Sequence, residues 1–288
     1  MEKNSRIQQV YGVLGYPAKH SLSPLMHNAA FNALKLNAQY LIFEKKPEEL
    51  ASFLHTLSEE NIFGLNVTVP HKEKVIPFLS MLSQEAELIG AVNTIRVSDG
   101  KLEGFNTDGA GFLKHITQDL RFDPAGKRIA MIGAGGAAKA VAVYLSIAGV
   151  KGIAICDIDK VKLSALAAHL KANFKKINIE TAHSVKELNL GESDVLINAT
   201  AVGMKKDDPC LVEEKLIHKD LLVYDLIYNP PKTKLLEVAQ EKKARISNGL
   251  GMLLYQGMSA FEIWTGQKAP KEIMHQALLK ALAPREKT

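Results

Sequence analysis

The sequence predicts an α/β protein with two domains. At 288 residues the chain is too long for one small core. Short β-branched runs alternate with helical stretches in two successive series, a pattern typical of βαβ units around a mainly parallel sheet. The polar stretch RFDPAGK, residues 121–127, separates the two series and predicts a domain boundary.

The first series alternates strands with helices and ends in a hairpin. In chain order it comprises strand 10–16, helix 24–36, strand 39–45, helix 47–57, strand 64–69 and helical turns to about Ile89. Residues 91–106 then predict a hairpin that turns on Ser98-Asp99-Gly100, followed by a helix over 110–120. The first domain therefore begins as an α/β unit.

The second series predicts a doubly wound, Rossmann-like domain. It comprises strand 128–133, a glycine-rich turn, helix 137–149, strand 152–157, helix 160–174 and strands 177–182, 194–200 and 221–228. Two final helices, 252–266 and 270–283, are expected to pack back on the first domain. The predicted domains are therefore residues 1–108 with 250–288, and residues 109–249.

Composition narrows the class of protein. The formal charge of +5 is mild and the lysines are scattered, which suits anionic metabolites; a nucleic-acid-binding protein would carry a concentrated basic stripe. No N-terminal apolar run and no segment of membrane-spanning length occurs, so we expect a cytoplasmic protein that makes no membrane contact. Neither Cys156 nor Cys210 belongs to a CxxC pair, so a disulfide framework or a metal site is not expected.

A glycine-rich turn at residues 133–137 predicts a dinucleotide site. Gly133 ends a buried strand, and Gly133-Ala134-Gly135-Gly136-Ala137 opens a helix. Glycines let backbone N–H groups approach a pyrophosphate, whose charge the helix N-terminus favours. The spacing is GxGGAA instead of GxGxxG, and the alternative is a glycine turn without a ligand, but strand, turn and helix follow in the required order.

The end of the second strand of this series bears on cofactor choice. Asp157 lies 21 residues after Gly136, where an acid accepts hydrogen bonds from an adenosine ribose and repels a 2′-phosphate, so NAD is favoured. Lys160 and Lys162 are the counter-argument, because they could pair with the 2′-phosphate of NADP. In a third interpretation Asp157 or Asp159 only caps the next helix.

Polar residues of the first domain suggest a site for a small anion. Ser23 suits a helix N-cap before Pro24, and Ser21 with Ser23 at a helix start could receive a carboxylate, although capping alone explains them. Lys72 follows the strand 64–69, and Asp108 follows a predicted strand end; such a pair could transfer a proton. His71 is interpreted as a turn residue and not as a base or a metal ligand.

Eight motifs in order resemble the shikimate dehydrogenase family, including its quinate/shikimate members. The resemblance extends from about Tyr11 to Trp264. The motifs are HSLSPLMHN, GLNVTVPHK, GAVNT, FNTDGAG, GAGGAA, NATAVGM, YDLIYNP and NGLGMLLYQG with AFEIWTG.

The resemblance implies a fold, a reaction and residue roles. It implies an N-terminal substrate domain completed by C-terminal helices, a Rossmann-like domain, and reversible hydride transfer between shikimate and 3-dehydroshikimate. Lys72 would be the acid/base residue with Asp108 as its partner. The other implied substrate contacts are Ser21, Ser23, Thr68, Asn93, Tyr228 and Gln256. The implied cofactor contacts are Gly133, Ala134, Gly135, Gly136 and Ala137 at the pyrophosphate, and Thr200, Leu226, Gly249 and Met252 near the nicotinamide.

The chain also departs from the family pattern, which keeps alternatives open. Biosynthetic members carry an arginine for the NADP 2′-phosphate after the second Rossmann strand; this chain has CDIDKVK there and resembles NAD-using members that also oxidise quinate. Ala18 and Asn248 differ from commoner family residues. An NAD-dependent quinate/shikimate dehydrogenase of quinate catabolism is the main alternative, ahead of a nucleotide-sensing binding protein and an NADP-linked reductase of another small acid. The protein is expected to be a monomer or homodimer.

Overall fold

The computed structural model describes residues 8–283, which form two compact units. One unit contains the chain up to Gly111 together with the chain from Leu254 onward, and the other is Phe112–Leu253. These divisions fall three and four residues after the predicted boundaries at 108 and 249. The polar stretch 121–127 lies inside the second unit, so its prediction as the boundary is wrong.

The first unit contains a mixed six-stranded sheet in the order β2-β1-β3-β5-β6-β4. Its strands are β1 Gln9–Gly15, β2 Ala38–Glu44, β3 Ile62–Val67, β4 Met81–Leu82, β5 Thr94–Ser98 and β6 Lys101–Phe105. The β1 strand pairs in parallel with β2 and β3, whereas β3, β5 and β6 are antiparallel. The antiparallel pairing of β5 with β6 follows from the turn at Asp99 and Gly100, where φ is 50° and 72°, because a two-residue turn joins only antiparallel strands.

Helices α1 Ser23–Ala33, α2 Leu50–Thr56, α3 Gln84–Ile89 and α4 Asp108–Lys114 follow strands of this first unit. One apolar cluster fills the space between the sheet and α2, with Leu14, Leu57 and Leu65 fully buried. Burial of such side chains contributes about 1.5–3 kcal/mol each. This packing fixes the sheet whose strand ends carry the polar residues described below.

The second unit contains a six-stranded, fully parallel sheet in the order β12-β11-β10-β7-β8-β9. Its strands are β7 Arg128–Ile132, β8 Gly152–Cys156, β9 Asn178–Ala182, β10 Val195–Asn198, β11 Leu222–Asp225 and β12 Arg245–Ser247. Its helices are α5 Gly136–Ile147, α6 Lys160–Asn173 and α7 Lys234–Glu241. The strand order reverses between β7 and β10, and ligands bind at such a switch point beside the carboxyl ends of the strands.

The last two helices are α8 Leu250–Thr265 and α9 Lys271–Leu282. Trp264 of α8 lies against Gly64 of β3, and its indole Nε1 donates a hydrogen bond to the Ile95 carbonyl at 2.9 Å. The predicted α/β fold with C-terminal helices completing the first unit is therefore confirmed. None of the helices within residues 8–283 has the length and apolar character needed to cross a bilayer.

Two elements of the second unit are absent from the predicted series, namely α7 and β12. Helix α7 begins at Lys234 after the N-cap Thr233, whose hydroxyl accepts a hydrogen bond from Leu236 N at 3.4 Å. The sequence signal was a threonine before an apolar helical pattern. Strand β12 has only three residues, too few for a visible alternation.

Candidate active site

Lys72 lies in a turn that backbone hydrogen bonds hold on both sides. Thr68 N, just after β3, donates to the Leu14 carbonyl at 2.9 Å, and Val92 N donates to the Lys72 carbonyl at 2.7 Å. The ring of His71 is buried and its Nε2 donates to the Lys45 carbonyl at 2.7 Å. The imidazole therefore has a structural role in the turn, and the turn fixes the position of the Lys72 Cα.

Lys72 and Asp108 meet in the structure. Lys72 Nζ donates to Asp108 Oδ2 at 2.5 Å, and the two side chains are 15% and 8% exposed. Asp108 begins α4, and its other oxygen, Oδ1, accepts a hydrogen bond from Asn93 Nδ2 at 2.8 Å. A short ion pair that keeps some access to solvent can exchange a proton with a ligand. The sequence alone did not show that these two residues are neighbours.

Asn93 links this pair to the rest of a polar cluster. Its Nδ2 also donates to Thr107 Oγ1 at 3.0 Å and to Gln256 Oε1 at 3.4 Å, while its Oδ1 accepts from Thr107 N at 2.8 Å. Gln256 comes from α8, which passes so close to α4 that a Cβ on Gly111 would lie 2.7 Å from Gln256 N. We call Lys72, Asn93, Thr107, Asp108 and Gln256 the Lys72 cluster.

A second layer of buried polar residues lies behind the Lys72 cluster and was not predicted. Tyr40 OH donates to Asn66 Oδ1 at 2.7 Å, and Asn66 Nδ2 donates to Thr94 Oγ1 at 3.2 Å and to the Asn93 carbonyl at 3.3 Å. The available signal was an asparagine inside the apolar run GLNVTV, because a buried amide needs partners. The bond to the Asn93 carbonyl holds the backbone of that residue in place.

The two predicted serines lie at the start of α1, with a shift of one residue from the expected capping pattern. Leu22 is the N-cap, Ser23 is the first helical residue, and Ser23 N donates to Ser21 Oγ at 3.2 Å. The prediction of Ser23 as the N-cap is therefore wrong. Ahead of them, Glu44 Oε1 accepts from Ala18 N at 2.8 Å, and this hydrogen bond is the main cause that lowers the Glu44 pKa.

Thr68 contacts the start of the same loop. Its methyl group packs so tightly on Gly15 that no Cβ would fit there, and Tyr16 N donates to the Val69 carbonyl at 2.9 Å. The segment after β1 and the segment after β3 are thereby held side by side. Thr68, which follows β3, and the two serines, which follow β1, therefore come after neighbouring strands of the same sheet.

In the second unit the glycine turn has the geometry of an anion cradle. Gly133 has φ of +113°, and a Cβ there would lie 2.8 Å from the Ala199 carbonyl oxygen, so both conformation and space require glycine. Gly135 is the N-cap of α5, and a Cβ on Gly135 would meet no atom within 4 Å. The first N–H groups of α5, a 12-residue helix, have no acceptor within the helix and lie next to this open space. This combination fits a pyrophosphate.

Asp157 and Asp159 have different roles in the turn after β8. Asp157 Oδ2 accepts from Ala134 N at 2.6 Å and its Oδ1 accepts from Asp159 N at 2.7 Å, so this carboxylate joins the glycine turn to the next loop. Asp159 caps α6 by accepting from Val161 N and Lys162 N, each at 3.1 Å. The Lys162 N–H is the largest of the causes that lower the Asp159 pKa. The capping role thus belongs to Asp159.

The four residues predicted near a nicotinamide all lie in the second unit. Thr200 approaches Gly133, since a Cβ there would lie 3.2 Å from Thr200 Cγ2. Gly249 packs on the Leu226 carbonyl so closely that a side chain would collide with it. Met252 is buried in the first turn of α8.

Tyr228, a predicted substrate contact, also belongs to this second unit and follows β11. Asn248, noted above as a departure from the family, donates through Nδ2 to the Pro231 carbonyl at 2.8 Å and accepts from Leu250 N at 3.1 Å. It therefore connects the loop after Tyr228 to the start of α8. Among the described residues, no group of three or more His, Cys, Asp or Glu side chains is arranged to hold a metal ion.

Three protein-family models match parts of this chain. Residues 13–95 match the model of the shikimate dehydrogenase substrate binding domain, 249–279 match the shikimate 5′-dehydrogenase C-terminal domain, and 115–237 match the ThiF family. A protein of Methanopyrus kandleri named shikimate dehydrogenase (NADP(+)) is 47% identical over 277 residues, which are 95% of this chain and 96% of that protein.

Two solved structures are similar over nearly their whole length. A shikimate dehydrogenase in complex with NADP+ is 38% identical with a TM-score of 0.89, and the match covers 96% of both chains. The shikimate 5-dehydrogenase of Listeria monocytogenes in complex with shikimate and NAD is 35% identical with a TM-score of 0.86, covering 96% of this chain and 99% of that one. With a polar cluster and a glycine turn where the family motifs occur, the chain belongs to the shikimate dehydrogenase family.

Proposed function

We propose that this protein catalyses the reversible oxidation of shikimate to 3-dehydroshikimate with a nicotinamide cofactor. The observation that carries the proposal is the contact of Lys72 Nζ with Asp108 Oδ2 at 2.5 Å inside the Lys72 cluster. An oxidoreductase acting on a hydroxyl group needs one group that accepts the proton and a separate acceptor for the hydride. Family membership supports the choice of substrate.

Lys72 handles the proton in this proposal. When bound, the nicotinamide ring supplies the acceptor for the hydride that leaves the shikimate C3 carbon. Before oxidation the Lys72 ammonium releases one proton to solvent; the neutral amine then takes the proton of the C3 hydroxyl, and during reduction the ammonium returns it. Asp108 orients the lysine and the hydroxyl, and the bond from Asn93 Nδ2 to Asp108 Oδ1 at 2.8 Å keeps the carboxylate in one orientation.

The other polar residues of the first unit bind the substrate. Ser21 and Ser23 receive the carboxylate at the start of α1, an 11-residue helix whose N-terminus favours negative charge. The remaining proposed contacts to the carboxylate or the ring hydroxyls are Thr68, Asn93, Gln256 and, from the second unit, Tyr228. These roles rest on the family motifs together with the hydrogen bonds described above.

The second unit holds the cofactor. The turn Gly133–Ala137 faces the pyrophosphate, and Thr200, Leu226, Gly249 and Met252 line the nicotinamide end. Asp157 supports NAD because its carboxylate at the end of β8 would repel a 2′-phosphate. The relative from Methanopyrus kandleri, however, carries NADP(+) in its name, and Lys160 and Lys162 lie in the first turn of α6. NAD preference therefore stays a prediction that rests on Asp157.

Initial rates of shikimate oxidation with NAD and with NADP test both the reaction and the preference. The proposal predicts turnover, and Asp157→Asn should raise the ratio of kcat/KM with NADP to that with NAD by about tenfold, since one repelling charge is removed. Asp194→Asn is the matched control, because it removes the same charge at the amino end of β10, where Asp194 accepts from Arg128 N at 2.8 Å. Absence of turnover with either cofactor would reject the proposal, and an unchanged ratio in Asp157→Asn would reject its role in cofactor choice.

The quinate/shikimate dehydrogenase of quinate catabolism remains the second candidate. Quinate carries an extra hydroxyl at C1, beside the carboxylate that Ser21 and Ser23 receive. Rates with quinate under the same conditions distinguish the two candidate functions. Turnover of shikimate alone supports a role in aromatic amino-acid biosynthesis. Comparable rates with both substrates support the catabolic role. The cytoplasmic location and the monomeric or dimeric state remain predictions, and size-exclusion chromatography with light scattering measures the latter.

A further inference from the structure

Asp225, at the end of β11, lies in the centre of a closed polar cluster in the second unit. Its side chain is completely buried. Asp225 Oδ1 accepts from Asn198 Nδ2 and from Ile227 N, each at 3.0 Å, and Oδ2 accepts from Thr233 Oγ1 at 2.7 Å. We call Asn198, Asp225, Ile227 and Thr233 the Asp225 cluster.

Each donor in the Asp225 cluster belongs to a different segment. Asn198 ends β10, Ile227 lies in the turn after β11, and Thr233 is the N-cap of α7. The carboxylate is therefore the common acceptor for three pieces of chain that leave the carboxyl edge of the sheet. In this type of sheet that edge is where ligands bind.

Asn198 extends the cluster to Thr200. Its Oδ1 accepts from Thr200 Oγ1 at 2.8 Å and from Thr200 N at 3.0 Å, and its Nδ2 also donates to the Val202 carbonyl at 3.1 Å. Behind this loop, Gly203 has φ of +114°, and a Cβ there would lie 3.3 Å from Thr233 Cγ2. The loop 199–203 is therefore hydrogen-bonded to the cluster at Thr200 and Val202 and packs near it at Gly203.

The loop after β11 is held in the same way. Leu226 N donates to the Asn198 carbonyl at 2.9 Å, and the Ile227 carbonyl accepts from Gly249 N at 3.1 Å. Leu226 and Gly249, two residues predicted near the nicotinamide, are thus each joined to the Asp225 cluster by one hydrogen bond.

We propose that Asp225 is a positioning residue, which sets the nicotinamide-lining loops through Asn198, Ile227 and Thr233. Its carboxylate does not serve as an acid, a base or a ligand of the substrate. The proposal rests on the proposed function, because it assigns a role to the cluster in that same reaction.

The energetics favour a role beyond stability. A fully buried carboxylate is costly to desolvate, and burial raises the pKa of Asp225. An apolar side chain would fill the same space without that cost, but it could not accept hydrogen bonds from the loop after β10 and the loop after β11 at once. The carboxylate therefore serves to hold these loops in position.

The test compares variants that keep or remove the acceptors. Asp225→Asn keeps an acceptor towards Asn198 and Ile227, and its amide can donate to Thr233 Oγ1, so kcat should stay within about threefold of wild type. Asp225→Ala removes every acceptor, and kcat should fall by about 10- to 100-fold. Asp194→Asn is the matched control: Asp194 accepts from Arg128 N at 2.8 Å at the amino end of β10, away from these loops.

The readout that separates positioning from stability is a split between turnover and binding. ADP-ribose, or its 2′-phosphate if NADP is preferred, carries no nicotinamide, so its Kd by calorimetry should change by less than about twofold in Asp225→Ala. The KM for shikimate should change equally little, and kcat in Asp194→Asn should equal that of wild type. The variants are compared with a wild-type protein that turns over shikimate. If the wild-type protein shows no turnover, that result rejects the proposed function and not the role of Asp225.

A second pair of variants keeps the proposal testable if Asp225→Ala does not fold. Thr233→Val removes one donor while keeping the shape, and should lower kcat by about tenfold; Thr233→Ser restores the hydroxyl and should restore kcat. Wild-type kcat in Thr233→Val or in a folded Asp225→Ala would overturn the proposal. So would a loss in Asp225→Ala that appears equally in kcat and in ADP-ribose affinity, or an Asp225→Asn variant as slow as Asp225→Ala.

Discussion

Two aspartates, one in each unit, are held by an asparagine in nearly the same way. Asp108 Oδ1 accepts from Asn93 Nδ2 at 2.8 Å, and Asp225 Oδ1 accepts from Asn198 Nδ2 at 3.0 Å. They differ at the other oxygen, where Asp108 meets the ammonium of Lys72 and Asp225 meets the hydroxyl of Thr233. They differ also in access, because the Asp108 and Lys72 side chains keep 8% and 15% exposure while Asp225 has none.

The difference shows how one residue pair can serve two purposes. An ion pair of lysine and aspartate that is partly exposed to solvent can exchange a proton with a ligand. A carboxylate enclosed by neutral donors from three segments can only fix the positions of those segments. The surroundings of each aspartate therefore decide its role, and substitutions at the two positions should have different consequences.

The same substitution at both aspartates should produce the largest contrast. Asp108→Asn leaves Lys72 without a carboxylate partner, so kcat for shikimate oxidation should fall by about 10²- to 10⁴-fold. Asp225→Asn, which keeps its hydrogen bonds, should stay near wild type. Initial rates at saturating substrate and cofactor measure the contrast. Equal losses at both positions would mean that the two aspartates do not have separate roles.

A second contrast lies between two glycines of the cofactor turn. Gly135→Ala meets no protein atom within 4 Å, so the melting temperature should be unchanged, while the added methyl occupies the space assigned to the pyrophosphate and should weaken cofactor binding by about 10- to 100-fold. Gly133→Ala places a Cβ 2.8 Å from the Ala199 carbonyl oxygen at a φ of +113°, and should lower both stability and binding.

Calorimetry of cofactor binding and thermal unfolding of the two glycine variants check this prediction. Wild type is the common reference for both. Full cofactor affinity in Gly135→Ala would remove the turn from the cofactor site. If Gly135→Ala lost as much stability as Gly133→Ala, the result would contradict the finding that the space next to Gly135 is open.

The two asparagines should separate substrate binding from turnover. Asn93→Ala removes a residue that contacts Asp108 and is proposed to contact the substrate, so it should raise the KM for shikimate and lower kcat, each by about tenfold. Asn198→Ala disturbs only the loops near Thr200, so it should lower kcat by a similar factor and leave the KM for shikimate unchanged. Steady-state kinetics with shikimate varied give both constants, and an increased KM in Asn198→Ala would contradict the assignment.

The smallest effect concerns a buried group without a catalytic role. His27 is fully buried and stacks on Tyr40 with ring centroids 4.5 Å apart, and burial lowers its pKa to about 3. Between pH 6.5 and 3 the unfolded chain binds a proton at this residue that the native protein does not, so stability falls as the pH falls. The slope from this residue approaches about 1.4 kcal/mol per pH unit.

Urea unfolding of wild type and His27→Phe at pH 7, 6 and 5 measures this slope. The variant keeps a flat ring against Tyr40 but cannot bind a proton, so its free energy of unfolding should fall less steeply towards pH 5. Parallel pH dependences in the two proteins would show that His27 is not a neutral buried group.

Much of this arrangement was predictable because ordered local patterns carried it. The glycine turn, the helices from 252 onward and five of the six parallel strands of the second unit follow strong periodicity or ordered motifs, whereas β12 is too short to be recognised. The mixed first sheet was only half predicted, because alternation of strands and helices does not give strand direction around a hairpin. The boundary at 121–127 failed because a polar loop inside a domain has the same composition as a linker.

The buried polar partners could not be predicted from local sequence. Asp225 lies in the apolar run LLVYDLIY, and its partner Asn198 is 27 residues away, so only the fold brings them together. Lys72 and Asp108 are 36 residues apart; their chemistry and the family resemblance suggested the pair, but no local pattern showed that they meet. Tyr40 and Asn66 likewise meet across strands that no local pattern connects.

The central claim is that Lys72 transfers the proton in shikimate oxidation, and one measurement tests it most directly. Initial rates of shikimate oxidation by wild type and by Lys72→Ala should be compared at saturating shikimate with the preferred cofactor, after cofactor affinity has been measured for both. The account predicts clear turnover in wild type, a loss of about 10²- to 10⁴-fold in Lys72→Ala, and nearly equal cofactor affinities. Unchanged turnover in Lys72→Ala would contradict the assignment of the proton to Lys72.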